Sequence, residues 1–356
     1  MRRLWILVLG AVPVMASAQH PERYALAGDA VAVYNLAGVM RIEAGSGSDV
    51  VVDLTRGGAD QARLRVETGP LRGRATLRVI YPGDDIVYRS MGRGSNTTLE
   101  VRDDGSFNDD RDHGEGHVRR HPTGRRVRIS GSEDGLEAYA DIHVAVPTGK
   151  RLEVYLGVGR AVVANVAGEL RLDVAAADVT ADHTKGSLRI DTGSGDVHLS
   201  DAEGAVGLDT GSGDVTVAGM RGHSLVLNTG SGDVTAEQVA ADELRIDTGS
   251  GRVTASAIRA PAVSITTGSG DVRLDLASEL GSLDVDTGSG DVTVTVPPGA
   301  GAHVDVETGS GDIDLEGVAL KATRLEKSHL VGEIGDGKGR LKIDTGSGEV
   351  RLIRSR

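Results

Sequence analysis

Asp191-Thr-Gly-Ser-Gly-Asp-Val197 is the stretch whose reading decides the fold. Its centre, Thr-Gly-Ser-Gly, occurs eight times, starting at Thr192, Thr210, Thr229, Thr248, Thr267, Thr287, Thr308 and Thr345. An acid and then Val or Ile nearly always follow. The first seven copies lie 18 to 21 residues apart and the last gap is 37. So short and regular a period is that of a solenoid, in which each repeat is one coil stacked on the next. The double gap reads as two periods whose middle copy, near Ser328, has worn away.

One coil can be built outward from the motif. Leu188, Ile190 and Thr192 alternate with polar residues, so they share one face of a strand. Gly193-Ser194-Gly195 is a bend, because Gly takes positive φ without steric cost. Val197 and Leu199 make a second short strand, and Ala202 is a third inward contact. The next coils repeat this order with Val206, Leu208, Thr210, Val215, Val217 and Met220, then with Leu225, Leu227, Thr229, Val234, Ala236 and Val239. Three inward segments per period predict a three-sided parallel coil. Degenerate coils centred on Asp173–Asp178 and Leu156–Arg160 bring the total to about eleven, a rod of roughly 50 Å at the usual strand spacing. The fold class is therefore all-β: a parallel β-solenoid, or β-helix, with coils of about 18–21 residues and an N-terminal β-strand cap region. The Thr file shares parity with Leu188 and Ile190. It reads as a buried ladder bonded to backbone, not as the exposed hydroxyl face of an ice-binding solenoid.

The remainder divides into three zones. Residues 1–18 carry Arg2 and Arg3, an apolar run from Leu4 to Met15 and a small-residue site at Ala16-Ser17-Ala18, which is the pattern of a secretion signal. Residues 19–81 alternate at period two between Gly-rich breaks, as short strands do, and are the natural cap at one end of the stack. Ala44-Gly-Ser-Gly-Ser-Asp-Val50 looks like an early variant of the repeat. Residues 82–136 break the pattern. Between Arg102 and Arg128 stand six acids, seven Arg and three His, a composition too polar to fold alone, so this zone is expected to be a charged, mobile insertion. The solenoid is expected over 137–356. Arg351, Arg354 and Arg356 then fall on its last strand, either guarding the bare edge or as a solvated tail.

Composition narrows the function. The chain has no Cys, so disulfides, thiol chemistry and thiolate metal sites are absent. Its net charge of −13 opposes nucleic acid as a partner. No run after residue 18 is long and apolar enough for a transmembrane segment. No aromatic residue follows Tyr155, which leaves the repeats without stacking platforms for sugars or bases.

Candidate chemistry is sparse. Asp191 and its equivalents Asp209, Asp247, Asp286 and Asp344 form one outward file. Asp196, Asp214, Asp233, Asp271, Asp291 and Asp312 form another. Two readings of the second file stand side by side. It is a ladder of weak Ca²⁺ or other hard-cation sites, or each carboxylate accepts backbone N–H groups at a Gly turn. Asn228, Thr266 and Arg252 interrupt the files, which fits relief of repulsion better than preservation of a site. His113, His117 and His121, four apart beside Asp109, Asp110, Asp112 and Glu115, would align as metal ligands on a helix, but Gly114, Gly116 and Pro122 oppose a helix. No nucleophile–base pair, phosphate loop or dinucleotide fingerprint appears. No catalytic residue and no cofactor is assigned, Ca²⁺ on the Asp file apart.

The Gly-Ser-Gly-Asp-Val coils, Val33-Tyr-Asn-Leu-Ala-Gly38 and Leu330-Val-Gly-Glu-Ile-Gly-Asp336 together resemble a bacterial family of exported β-strand repeat proteins grouped as adhesins, the domain of unknown function 4097. The pattern is also similar to that of the head GIN-domain adhesins. The resemblance implies a non-enzymatic structural or adhesin module of the cell envelope, periplasmic, at the surface or extracellular. Its partner would be an unknown surface or envelope component. A β-helix carbohydrate-active enzyme is the competing class, to be distinguished by a localised cleft of acids and Arg.

Overall fold

The computed structural model describes residues 21–108, 124–132 and 134–355. Among them there is no α-helix, and a single hydrophobic core runs from Leu26 to Leu352. The secretion-signal segment lies outside the described residues.

The solenoid forms as the repeat requires. Val206, Leu208 and Thr210 stand over Leu188, Ile190 and Thr192 in parallel register, and the same positions continue to Leu225, Leu227 and Thr229. All eighteen side chains expected to face inward in these three coils are buried. The expected third side is not a strand. In the Thr-Gly-Ser-Gly coils two strands alternate, as in Lys185–Ser194 followed by Val197–Ser200. Ala202, Met220 and Val239 are buried where the chain bends from one coil to the next. That bend carries a feature the repeat motif does not announce. Asn165, His183, Asp201, Gly219, Gln238 and Ala257 all have φ between 48° and 75°. The residue types differ, so only the shared left-handed backbone marks this corner.

Among the described residues the stack holds eleven coils, but their order is not that of the chain. Its first coil is the single long strand Ala30–Ala44, which pairs in parallel with Lys150–Ala164 along nearly its full length. The coil of Thr345 lies between those of Thr287 and Thr308. The strand Gly339–Thr345 pairs in parallel with Ser282–Thr287 on one side and with Ala302–Thr308 on the other. Val350–Arg354 is likewise flanked by Val292–Val296 and Ile313–Glu316. The supposed worn coil near Ser328 is an antiparallel hairpin, Leu320–Leu325 with His329–Ile334, laid against Ala302–Thr308. Arg351 and Arg354 are thus on an interior strand, and guarding the edge is not their role; Arg356 lies outside the described residues. The physical reason is the identity of the repeats. Any coil presents the same inward aliphatics and the same strand edges, so adjacency in sequence does not dictate adjacency in space.

Strands close the opposite end. Arg74–Ile80 and Tyr139–Val146 pair in parallel with the two halves of Ala30–Ala44. Arg65–Leu71 runs antiparallel to the first of these and Val50–Gly57 to the second, and Glu22–Leu26 is antiparallel to Val50–Gly57 in turn. Ala44-Gly-Ser-Gly-Ser-Asp-Val50 is therefore the connection into an antiparallel strand, not a coil corner. Tyr81 fastens this end. Its hydroxyl donates to Asn35 Oδ1 at 2.7 Å, while Asn35 Nδ2 donates to the carbonyls of Ala37 and Ala140 at 3.0 and 2.7 Å. Complete burial pushes the Tyr81 phenol well above its ordinary range. Tyr81→Phe leaves Asn35 Oδ1 buried without this donor. The expected cost is about 1–3 kcal/mol in urea unfolding; an unchanged midpoint would mean that the triad does not hold the cap.

The expected mobile insertion is folded wherever it is described. Asp85–Val87, Asn96–Arg102 and Gly124–Ser130 form a small sheet. Its Ile86, Leu99, Val101, Val127 and Ile129 join the main core. Charged residues alternate with these few aliphatics, so the segment cannot fold alone but can fold against a rod already formed. Phe107, from the same insertion, lies edge-on to Tyr34 and Tyr155, whose rings stack at 4.4 Å.

Candidate functional site

The corner file of Asp residues is tied to the backbone. Asp178 Oδ1 accepts the Asp196 N–H, Asp196 that of Asp214, Asp214 that of Asp233, and Asp233 that of Arg252, at 2.8 to 3.2 Å. Beyond Arg252 the staircase resumes, with Asp271 accepting from Asp291 and Asp291 from Glu349. Each carboxylate thus holds the corner of the adjoining coil, and the step from Asp291 to Glu349 follows the interleaved order of the stack. Asp312, in the outermost coil, has Lys327 Nζ at 3.2 Å. Asp191, Asp209, Asp247, Asp286 and Asp344 stand on the other strand of each coil, in register across the stack with Asn228 and Thr266.

The eight motif Thr are buried. Thr192 donates to Ser194 O at 3.2 Å and Thr308 to Gly348 O at 3.0 Å. The hydroxyls of Thr210, Thr248, Thr267 and Thr287 have no hydrogen-bond partner among the described residues. Thr248→Val removes one buried unpaired hydroxyl at nearly constant shape. It is expected to leave stability unchanged or to raise it by up to about 1 kcal/mol. A loss greater than that, in the same urea assay, would show an essential hydroxyl.

Two groupings were not visible in the sequence. At the left-handed bend, His183 Nδ1 lies 2.7 Å from Asp182 Oδ2 and His183 Nε2 lies 3.8 Å from Asp201 Oδ2. Ser200 and His183 hold Asp182 below the usual carboxylate range, and Asp182 raises His183 above the usual imidazole value. This is the one cluster of potential metal ligands among the described residues. The triad His113, His117 and His121 lies outside the described residues, as do Asp109, Asp110, Asp112 and Glu115.

The second grouping is a cleft of about 820 Å³ where the insertion meets the first coils. Its floor is the corner file, in which Gly159, Ala177 and Gly195 supply little or no side chain. Gly159 has a φ of 131°, and a Cβ there would stand 1.9 Å from Gly38 O, so the floor must stay bare. Residues 88–96 form the wall. Tyr88 N–H donates to Ser130 O and Gly131 N–H to Ser95 O, at 2.9 and 3.1 Å. Arg89 makes two parallel bonds to Glu137, at 3.0 and 2.8 Å. Arg41, Arg160 and Asp178 line the cleft with Tyr88, Ser90 and Asn96. The sequence signal for it was negative: the cleft is built where the repeat pattern fails.

These features define the class as a parallel β-solenoid with a polar cleft mounted on its side. Residues 142–352 match the family model DUF4097, described as Toastrack. The chain belongs to that family. No curated protein matches it. Among solved structures, it is similar to a "putative cell adhesion protein" from Clostridium sporogenes. That likeness has 9% identity and a TM-score of 0.19, and covers 94% of this chain and 100% of the other; it carries no argument. No helix among the described residues is long and apolar enough to cross a membrane.

Proposed function

We propose that this chain is an exported, non-enzymatic rod that serves as a structural and adhesive module of the bacterial envelope. The observation that carries the reading is the duty of the recurring polar groups within the repeat. The corner carboxylates bind backbone N–H groups of the adjoining coil, so the repeat builds length and rigidity. Among the described residues a broad cleft lies where the segment that departs from the repeat meets the flank of the rod. A rigid shaft with a side-mounted recess suits display and contact better than turnover. The reading is tested in two arms. Residues 1–18 should export a fused reporter from the bacterial cytoplasm, and the purified chain should bind isolated envelope fragments saturably. Cytoplasmic retention together with no envelope binding would overturn the proposal.

A further inference from the structure

The cleft has a chemistry of its own. Arg41 and Arg160 lie on neighbouring coils, offset by two residues, since Arg41 faces Val162 and Arg160 faces Val39 in the parallel register. Diagonal neighbours of this kind are about 7–8 Å apart, within reach of one ligand by two long side chains. Both are exposed, and neither has an ion-pair partner among the described residues, unlike Arg89 on the adjoining wall. Tyr88 and Ser90 line the same cleft as the two Arg residues.

Asp178 decides which anion fits. One of its oxygens is committed to the Asp196 N–H. Asp178 lines the same cleft as Arg41 and Arg160, and stands opposite Arg160 in the parallel register. A ligand that offers only anionic oxygens, such as a polyphosphate, has no donor for this carboxylate. A ligand carrying one carboxylate among hydroxyls satisfies both: its acid group takes the Arg forks, and a hydroxyl donates to Asp178. Planar guanidinium groups bind carboxylates through paired hydrogen bonds. Ser90 and Asn96 add further groups for hydroxyls, and the bare floor lets a ring approach the backbone. The volume falls within the roughly 300–1,000 Å³ of small-ligand sites.

We propose that this cleft binds an acidic saccharide, with Arg41 and Arg160 clamping a uronate carboxylate and Asp178, Ser90 and Asn96 taking its hydroxyls. The proposal rests on the adhesive reading and names its ligand class. The wall is fixed by its own hydrogen bonds, so the site is formed before the ligand arrives.

Calorimetric titration of the full chain tests it, with trisaccharides of galacturonate, mannuronate and glucuronate, and with maltotriose and tripolyphosphate as comparisons. At least one uronate trisaccharide is expected to bind one to one, and maltotriose and tripolyphosphate are not. Arg41→Ala and Arg160→Ala should each weaken binding at least tenfold with an unchanged melting curve. Arg160→Lys, which keeps the charge and loses the fork, should fall between. No binding by any uronate at millimolar concentration would overturn the proposal. So would undiminished binding by the Arg41→Ala, Arg160→Ala double variant, or equal binding of tripolyphosphate. Envelope binding without uronate binding would sink the ligand and leave the adhesive role standing; loss of envelope binding alone would do the reverse.

Discussion

Replacing Gly213 by Val is expected to disrupt the solenoid from its middle. Gly213 has a φ of 145°, and a Cβ there would lie 2.2 Å from the carbonyl oxygen of Gly195. That oxygen belongs to the backbone of the adjoining coil, so no rotamer change relieves the clash. The coil on the other side is no looser, since a Cβ at Gly232 would lie 2.1 Å from Gly213 O. Opening one corner would strain the strand pairs on both sides of it. Left-handed strain and the clash together should cost roughly 3–5 kcal/mol, read as a fall in the urea midpoint. Gly207→Val provides the contrast. Nothing lies within 4 Å of a Cβ at Gly207, and Val suits a strand better than Gly, so its midpoint should hold or rise. Equal losses in the two variants would refute the close-packed corner.

Ile343→Asp is expected to be as damaging, and in a telling place. Ile343 is 1% exposed and lies between Val285 and Val306 in register. An unpaired carboxylate there is costly, on the order of 4 kcal/mol or more. The disrupted coil is what joins the coil of Thr308 to the rest of the stack, so those two coils should be released together. Limited proteolysis should then cut within 297–338 as readily as beyond residue 339. A stack built in chain order would confine the new cuts to the last coil.

Much of the architecture was legible because the motif repeats. Period two around Leu188, Ile190 and Thr192 assigned the inward face, and the Gly pair assigned the corner. The bend at Asn165, His183 and Asp201 was not legible, since it is specified by backbone conformation and not by residue type. Coil order was hidden for the opposite reason: identical coils are interchangeable partners, and pairings such as that of Ile343 with both Val285 and Val306 distinguish the interleaved stack from a sequential one. The insertion was misread because its charged residues outnumber Leu99, Val101, Val127 and Ile129, which bury themselves only against the rod. Arg41 and Arg160 are not legible as a pair, being 119 positions apart in the chain and brought together by one register.

The stack itself can be tested by disulfide trapping, which the absence of native Cys makes clean. Asp286, Asp344 and Glu307 occupy one row across three strands, with Asp344 in the middle. Neighbouring strands lie about 4.8 Å apart, within the span a disulfide bridges, whereas two steps do not. Cysteine pairs at 286 with 344 and at 344 with 307 are predicted to close under mild oxidation, and the pair at 286 with 307 to stay open. Closure of 286 with 307, with the other two open, would contradict the interleaved solenoid.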